Sequence, residues 1–171
     1  MAKLPILIYP SPLIRKKSQP VTSINGELQR LIDDMVETMY AAPGVGLAAP
    51  QVGALKQVIV LNPHDERKSK RPLALINPEL VAADGQVIEE EGCLCIPDLR
   101  EGVPRFKQVV VKAYERNEKQ IVLEASDLLA RILQHEIDHL NGVLFIDRLS
   151  PAKRELVKRR LKKAVKEQGL G

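Results

Sequence analysis

The feature that most constrains this chain lies in its middle. Between residues 52 and 123 it carries five short β-rich runs, at 57–61, 73–76, 86–90, 109–114 and 120–123. Turn-type clusters separate them: Asn62-Pro63, Asn77-Pro78, Asp84-Gly85 and residues 116–118. These gaps are too short for βαβ crossovers, so the sheets are expected to be mostly antiparallel. Helical patterns flank them. Leu28, Leu31, Ile32, Met35 and Met39 share one face of a helix predicted over 25–42, with Asn25-Gly26 as cap and Pro43-Gly44 as stop. A second helix is predicted from about 126 to 141, closed by Gly142, and a third opens at Ser150-Pro151. A Pro-rich opening (Pro5, Pro10, Pro12, Pro20) reads as an extended arm over the body. The expected class is α+β.

A length of 171 residues fits one domain. Apolar residues at 44% and charged residues at 28% suffice for an ordinary core. Five aromatic residues and no Trp argue against a stacking platform for single-stranded nucleic acid, and no sequence-specific nucleic-acid partner is expected. No apolar run approaches the ~20 residues of a membrane span, and the start lacks the long apolar region of a secretory signal. A cytoplasmic location without membrane contact is expected. The charge is uneven: residues 151–171 hold eight Lys/Arg against Glu155 and Glu167, a net +6, which leaves −2 on 1–150. The chain thus divides into a mildly acidic body and a basic C-terminal helix. Cys93 and Cys95 are too close in sequence for an unstrained disulfide; such a pair points to metal or catalysis instead.

His135-Glu136-Ile137-Asp138-His139 fits H-E-x-x-H on the second predicted helix. At about 100° per residue, His139 lies about 40° round from His135, so both imidazoles face one point. Glu136 projects to one side, within reach of a proton-transfer role without being a ligand. Leu128 and Ile132 share the histidine face, while Leu129, Leu133, Ile137 and Leu140 cover the other side. A helix apolar on two sides is central. Two satisfied histidines on an amphipathic helix are the alternative. Metal binding is favoured because the chain has three His and two form this pair with Glu between them. His64, in the polar stretch 62–70, is expected to be solvated.

A catalytic site of this kind needs a third ligand and an open position. A His six residues after the second is absent, the position being Phe145, and the downstream Glu155 and Glu167 fall in the basic tail. Cys93, within Glu91-Gly92-Cys93-Leu94-Cys95, remains as candidate, although a free Cys is also a common core residue. The segment 44–51, Gly-Val-Gly-Leu-Ala-Ala-Pro-Gln, implies close backbone approach or a packing turn. It lacks the features of a phosphate loop. Gln51 at its end can present an amide to a substrate or a developing oxyanion.

The segments G-V-G-L-A-A-P-Q, E-G-C-L-C and Q-H-E-I-D-H-L-N-G, in this order and spacing, resemble the three signature motifs of the peptide deformylase family. The resemblance runs from the Pro-rich arm to the tail helix. It implies an α+β fold with antiparallel sheets around a central metal-binding helix. It further implies a metal-dependent hydrolase that removes the N-formyl group from the formyl-methionine of nascent peptides. On this chain it makes Cys93, His135 and His139 the metal ligands and Glu136 the general acid/base. Gln51 and the Leu94 N–H would stabilise the oxyanion, and Gly46 would bond the substrate backbone. Arg100 would lie near the substrate entrance. The metal implied is Fe(II); Zn(II), Ni(II) or Co(II) suit the same donors, and the sequence does not name the resident ion. Val45, Leu94, Leu128 and Ile132 are expected as apolar walls for the methionine side chain.

The sequence departs from the family in one place: Cys95 stands where the second motif usually ends in Ser. If that segment is extended, Cys95 points the same way as Cys93; it could sense oxidants, crowd the metal, or be a conservative core exchange. A peptidase using H-E-x-x-H is a rival reading, and a ribosome- or RNA-binding module with a structural metal is another. The tail supports binding, because Val157, Leu161, Ala164 and Val165 form one stripe among its basic residues. The ribosome is the expected partner of that helix.

Overall fold

The computed structural model describes residues 2–62 and 72–167. The predicted solvated position of His64 lies outside them. Helix α1 (Gly26–Ala41) begins where expected, with the Asn25 side chain accepting the Leu28 N–H at 3.0 Å, a cap typically worth ~1 kcal/mol. Its face buries Leu28, Ile32, Met35 and Met39. Strands β1 (Gly46–Ala48), β2 (Val58–Leu61), β3 (Leu73–Asp84), β6 (Gln108–Tyr114) and β7 (Gln120–Ser126) form one sheet in the order β1-β2-β3-β6-β7. Strands β4 (Val87–Cys93) and β5 (Ile96–Arg105) form a separate hairpin. Every named strand pair is antiparallel.

The two helices use opposite faces of the larger sheet. Helix α2 (Asp127–Leu140) packs Ala130, Ile132, Leu133 and Leu140 against Ile59, Leu61, Leu75 and Val111. α1 packs against Val58, Val60, Ala74 and Ile76. Alternating residues of β2 therefore serve two cores, which is why that strand is buried along its whole length. A third core joins the β4–β5 hairpin to the 3₁₀ turn Phe145–Arg148 and to α3 (Pro151–Glu167) through Ile96, Val103, Phe145, Val157 and Leu161. In α3, Val157 and Leu161 are buried and Ala164 and Val165 half-buried, so the predicted stripe faces the body. No helix among the described residues is long and apolar enough to cross a membrane.

Three local expectations change. Asn77-Pro78 is no turn: β3 continues through it, with a register shift between Ile76 and Glu79. Asn77 adopts φ 52° and its side chain bonds both the N–H and the C=O of Val21, so a bulge there anchors the arm. Residues 96–105 form β5 despite Pro97 and Pro104, because a two-stranded hairpin leaves an open edge that needs no N–H donors. Gly46–Ala48, read as a close backbone approach or a packing turn, is the edge strand β1, and the close approach is that of Gly46 to Glu136.

The arm lies over the body as expected. Leu7 N–H donates to Gln51 O, Tyr9 N–H to Cys95 O and Ser18 N–H to Leu140 O, each at 2.8 Å. At the end of α2, Gly142 has φ 73°, and a Cβ there would lie 2.2 Å from the Arg15 carbonyl oxygen. Gly142→Ala should lower unfolding stability by ~2 kcal/mol or more, since left-handed backbone strain and a steric clash add. A urea midpoint equal to that of the parent protein would contradict this close approach.

Candidate metal centre

The i, i+4 spacing on α2 brings the Nε2 atoms of His135 and His139 to 3.2 Å. Cys93, the last residue of β4, places its Sγ 3.3 Å from His139 Nε2. The three donor atoms all lie within 4.8 Å of one another. Donor–donor edges of a tetrahedral site with bonds of ~2.0–2.3 Å are on the order of 3.3–3.6 Å, so the 3.2 and 3.3 Å separations from His139 Nε2 fit a first-row divalent ion. A thiol and two imidazoles also match such an ion chemically. Phe145, where a third His would stand in another ligand pattern, stacks its ring against His135 at 6.1 Å.

The orientation of His135 is set from behind. Its Nδ1 bonds Glu91 Oε1 at 2.9 Å, which turns Nε2 toward the other donors. Burial would lower the pKa of His135, but the Glu91 hydrogen bond and the Glu136 charge outweigh it and raise it. Burial first, then the charge of His135, holds His139 well below the ordinary histidine range, as a neutral imidazole.

Glu91 belongs to a buried chain of charges. Arg105 bonds both of its oxygens, at 2.8 and 3.0 Å, and reaches Asp138 Oδ2 at 2.6 Å. Arg148 then meets both oxygens of Asp138, at 3.1 and 2.7 Å. Burial opposes the charge on Glu91, yet the hydrogen bonds from His135 and Arg105 bring its pKa down to about 2. Glu91, Arg105, Asp138 and Arg148 were not singled out by sequence. Helical or strand periodicity marks apolar faces and gives no sign of which charged residue turns inward.

Glu136 is 4% exposed and projects beside the donor cluster. Burial raises its pKa to about 7. Its Oε1 has no hydrogen-bond partner among the described residues. Its Oε2 lies against Gly46, where an added Cβ would approach to 2.7 Å. Glycine is needed at this position for space. Gln51 is 1% exposed; its Oε1 accepts the Ala48 N–H at 2.8 Å, which turns Nε2 toward the sulfurs of Cys95 at 3.3 Å and Cys93 at 3.7 Å.

A cleft of about 470 Å³ opens onto Cys93, His135 and Glu136. Gly46, Gln51 and Leu94 also line it, as do Val45, Leu128, Ile132 and Arg100, so the residues singled out by sequence converge on one place. His139 is buried behind that surface. Val45 and Leu128 are about half exposed and form its rim, whereas Ile132 is buried in its wall. Arg100 pairs with Glu90 at 3.5 Å. Cys95 requires a correction: it is not on an extended strand. Cys93 pairs with Ile96, so Leu94 and Cys95 make a tight turn. That turn still brings the two sulfurs to 3.3 Å, with Cys95 wholly buried.

The chain is similar to known proteins along nearly its whole length. The family model described as polypeptide deformylase matches residues 3–155. A peptide deformylase from Thermodesulfovibrio yellowstonii is 49% identical over 162 residues, covering 95% of this chain and 98% of that protein. The crystal structure of a peptide deformylase from Legionella pneumophila superposes with a TM-score of 0.89 at 42% identity, covering 99% of each chain. That of the Ehrlichia chaffeensis peptide deformylase in complex with actinonin gives 0.87 at 36% identity, over 96% of this chain and 98% of that one. Sequence and fold agree along nearly the whole length, and the chain belongs to the polypeptide deformylase family.

Proposed function

We propose that this chain removes the N-formyl group from the formyl-methionine of nascent polypeptides, with Cys93, His135 and His139 holding one divalent metal ion. The observation that carries the assignment is the convergence of those three donors beside a buried, unpartnered Glu136 carboxylate oxygen, with Cys93, His135 and Glu136 lining one cleft. When bound, a divalent ion supplies Lewis acidity and brings the pKa of a coordinated water toward neutrality. The family resemblance favours Fe(II); zinc, nickel and cobalt suit the same donors.

The remaining work falls to the protein. Glu136, with a pKa near the operating pH, accepts a proton from the attacking water and delivers it to the departing amine. The Gln51 amide, held by Ala48, and the Leu94 N–H face the negative charge that develops on the formyl oxygen. Gly46 lies on edge strand β1, whose outer side is open to pairing with an extended substrate backbone. Val45, Leu94, Leu128 and Ile132 receive the methionine side chain, and Arg100 stands at the entrance. The formyl carbon carries only hydrogen, so a narrow floor excludes larger acyl groups by size.

Residues 1–171 act as one cytoplasmic catalytic domain, in which 1–150 carries the chemistry and 151–171 docks on the ribosome. Seven of the basic residues of α3 are exposed, opposite its buried apolar stripe. Such a face raises local concentration at a polyanionic RNA surface.

Two measurements check these roles. Glu136→Gln should retain stoichiometric metal and lose deformylation of a formyl-Met peptide by ~10²–10⁴-fold, whereas His139→Ala should release the metal. Near-parental turnover in the first variant, or full metal content in the second, would contradict the assignment. Reversing Lys158, Arg159, Lys162 and Lys163 to Glu should leave turnover of a short peptide intact and weaken ribosome pelleting at low salt. Binding by the parent protein should fall steeply as salt rises, and equal pelleting of parent and variant would reject the docking role.

A further inference from the structure

We propose that Cys93 and Cys95 form a hydroperoxide-reactive dithiol, in which oxidation at Cys93 is captured by Cys95 as an intramolecular disulfide. The two sulfurs stand 3.3 Å apart across the Leu94-Cys95 turn, and the Gln51 amide nitrogen reaches both. They differ in access. Cys93 lines the cleft, so a small peroxide can reach it, whereas Cys95 is wholly buried and meets an oxidant only through its neighbour. These are the chain's only cysteines, which leaves no other intramolecular partner for an oxidised Cys93.

The chemistry balances in two steps. The Cys93 sulfur attacks one oxygen of hydrogen peroxide and gives up its proton; the O–O bond breaks, an S–O bond forms, and the other oxygen takes that proton and leaves as water. The Cys95 sulfur, losing its proton, then attacks Cys93 Sγ; an S–S bond forms and the S–O bond breaks, releasing water. Overall, two thiols give up two protons and two electrons, and one hydrogen peroxide becomes two waters. Closure from 3.3 Å to a bond of ~2.05 Å across one intervening residue yields a strained disulfide, which thiols reduce readily. A Ser at position 95 has no sulfur for this capture, and Cys93 would then proceed to sulfinic and sulfonic acids, which thiols do not reverse. The disulfide stands on the geometry of the two thiols; the loss of metal that should accompany it rests on Cys93 being a ligand, as proposed above.

The test uses the full-length protein loaded with zinc, which is redox-silent. After a few equivalents of hydrogen peroxide, the denatured protein is alkylated and weighed without reduction, and released zinc is read with a chromogenic chelator. The expected result is a fall from two alkylatable thiols to none and a mass 2 Da below the reduced chain. About one zinc per chain should be released, and dithiothreitol should restore both thiols. Cys95→Ser and Cys95→Ala should instead gain oxygen at Cys93, with no recovery on reduction. Sulfinic acid at Cys93 with Cys95 still alkylatable in the parent protein would overturn the proposal, as would a disulfide between chains. A disulfide formed with zinc retained would leave the dithiol standing and remove Cys93 from the ligand set.

Discussion

The centre depends on one buried cation. The Arg105 side chain is 3% exposed and bonds Glu91 on β4 and Asp138 on α2 from the end of β5. It thereby ties the small hairpin to the helix that packs on the large sheet. Removing one partner of such a buried network typically costs ~3–5 kcal/mol, because the remaining charges lose their compensation. Replacing the whole network by apolar residues need not destabilise the fold. The need for charge is local: Glu91 is what orients His135, and the hydrogen bonds from His135 and Arg105 keep Glu91 ionised in a desolvated place.

That frame explains how residues distant in sequence act together. Cys93 ends a strand and His139 lies near the end of a helix, yet their donor atoms are 3.3 Å apart because hairpin and helix are locked by shared carboxylates. Next to the donors on α2, Glu136 fits beside β1 only because position 46 carries no side chain. Proton carrier and donors are thus positioned by separate contacts of one helix. The open edge of β1 and the half-exposed Val45 and Leu128 lie along the same cleft.

Much of this was legible in the residues. The span of α2 follows from its apolar periodicity and from Gly142, whose positive φ and contact with Arg15 exclude a side chain. The i, i+4 histidines and the flanking Glu136 follow from helix geometry alone. Cys93 was legible as a candidate, and the resemblance carried by three ordered motifs decided its part. Other features had no local signal. The prolines of β5 masked a strand whose open edge tolerates them, and Asn77-Pro78 mimicked a turn where a bulge holds the arm. Among the three consecutive acids at 89–91, only the tertiary pairing with Arg105 distinguishes buried Glu91 from its exposed neighbours. The inward turn of a charge is decided by its partner, and that partner lies 14 residues away.

The central claim is that the locked hairpin and helix present one sulfur and two imidazole nitrogens to a single ion, with Cys95 set behind as a neighbour. X-ray absorption on the zinc-loaded parent protein and on Cys95→Ser tests this directly. The account predicts one sulfur near ~2.3 Å and light atoms near ~2.0–2.1 Å, including two imidazoles and an oxygen, with the same spectrum in the variant. Two sulfurs in the parent and one in the variant would make Cys95 a ligand and the site a closed, structural one, contrary to this account.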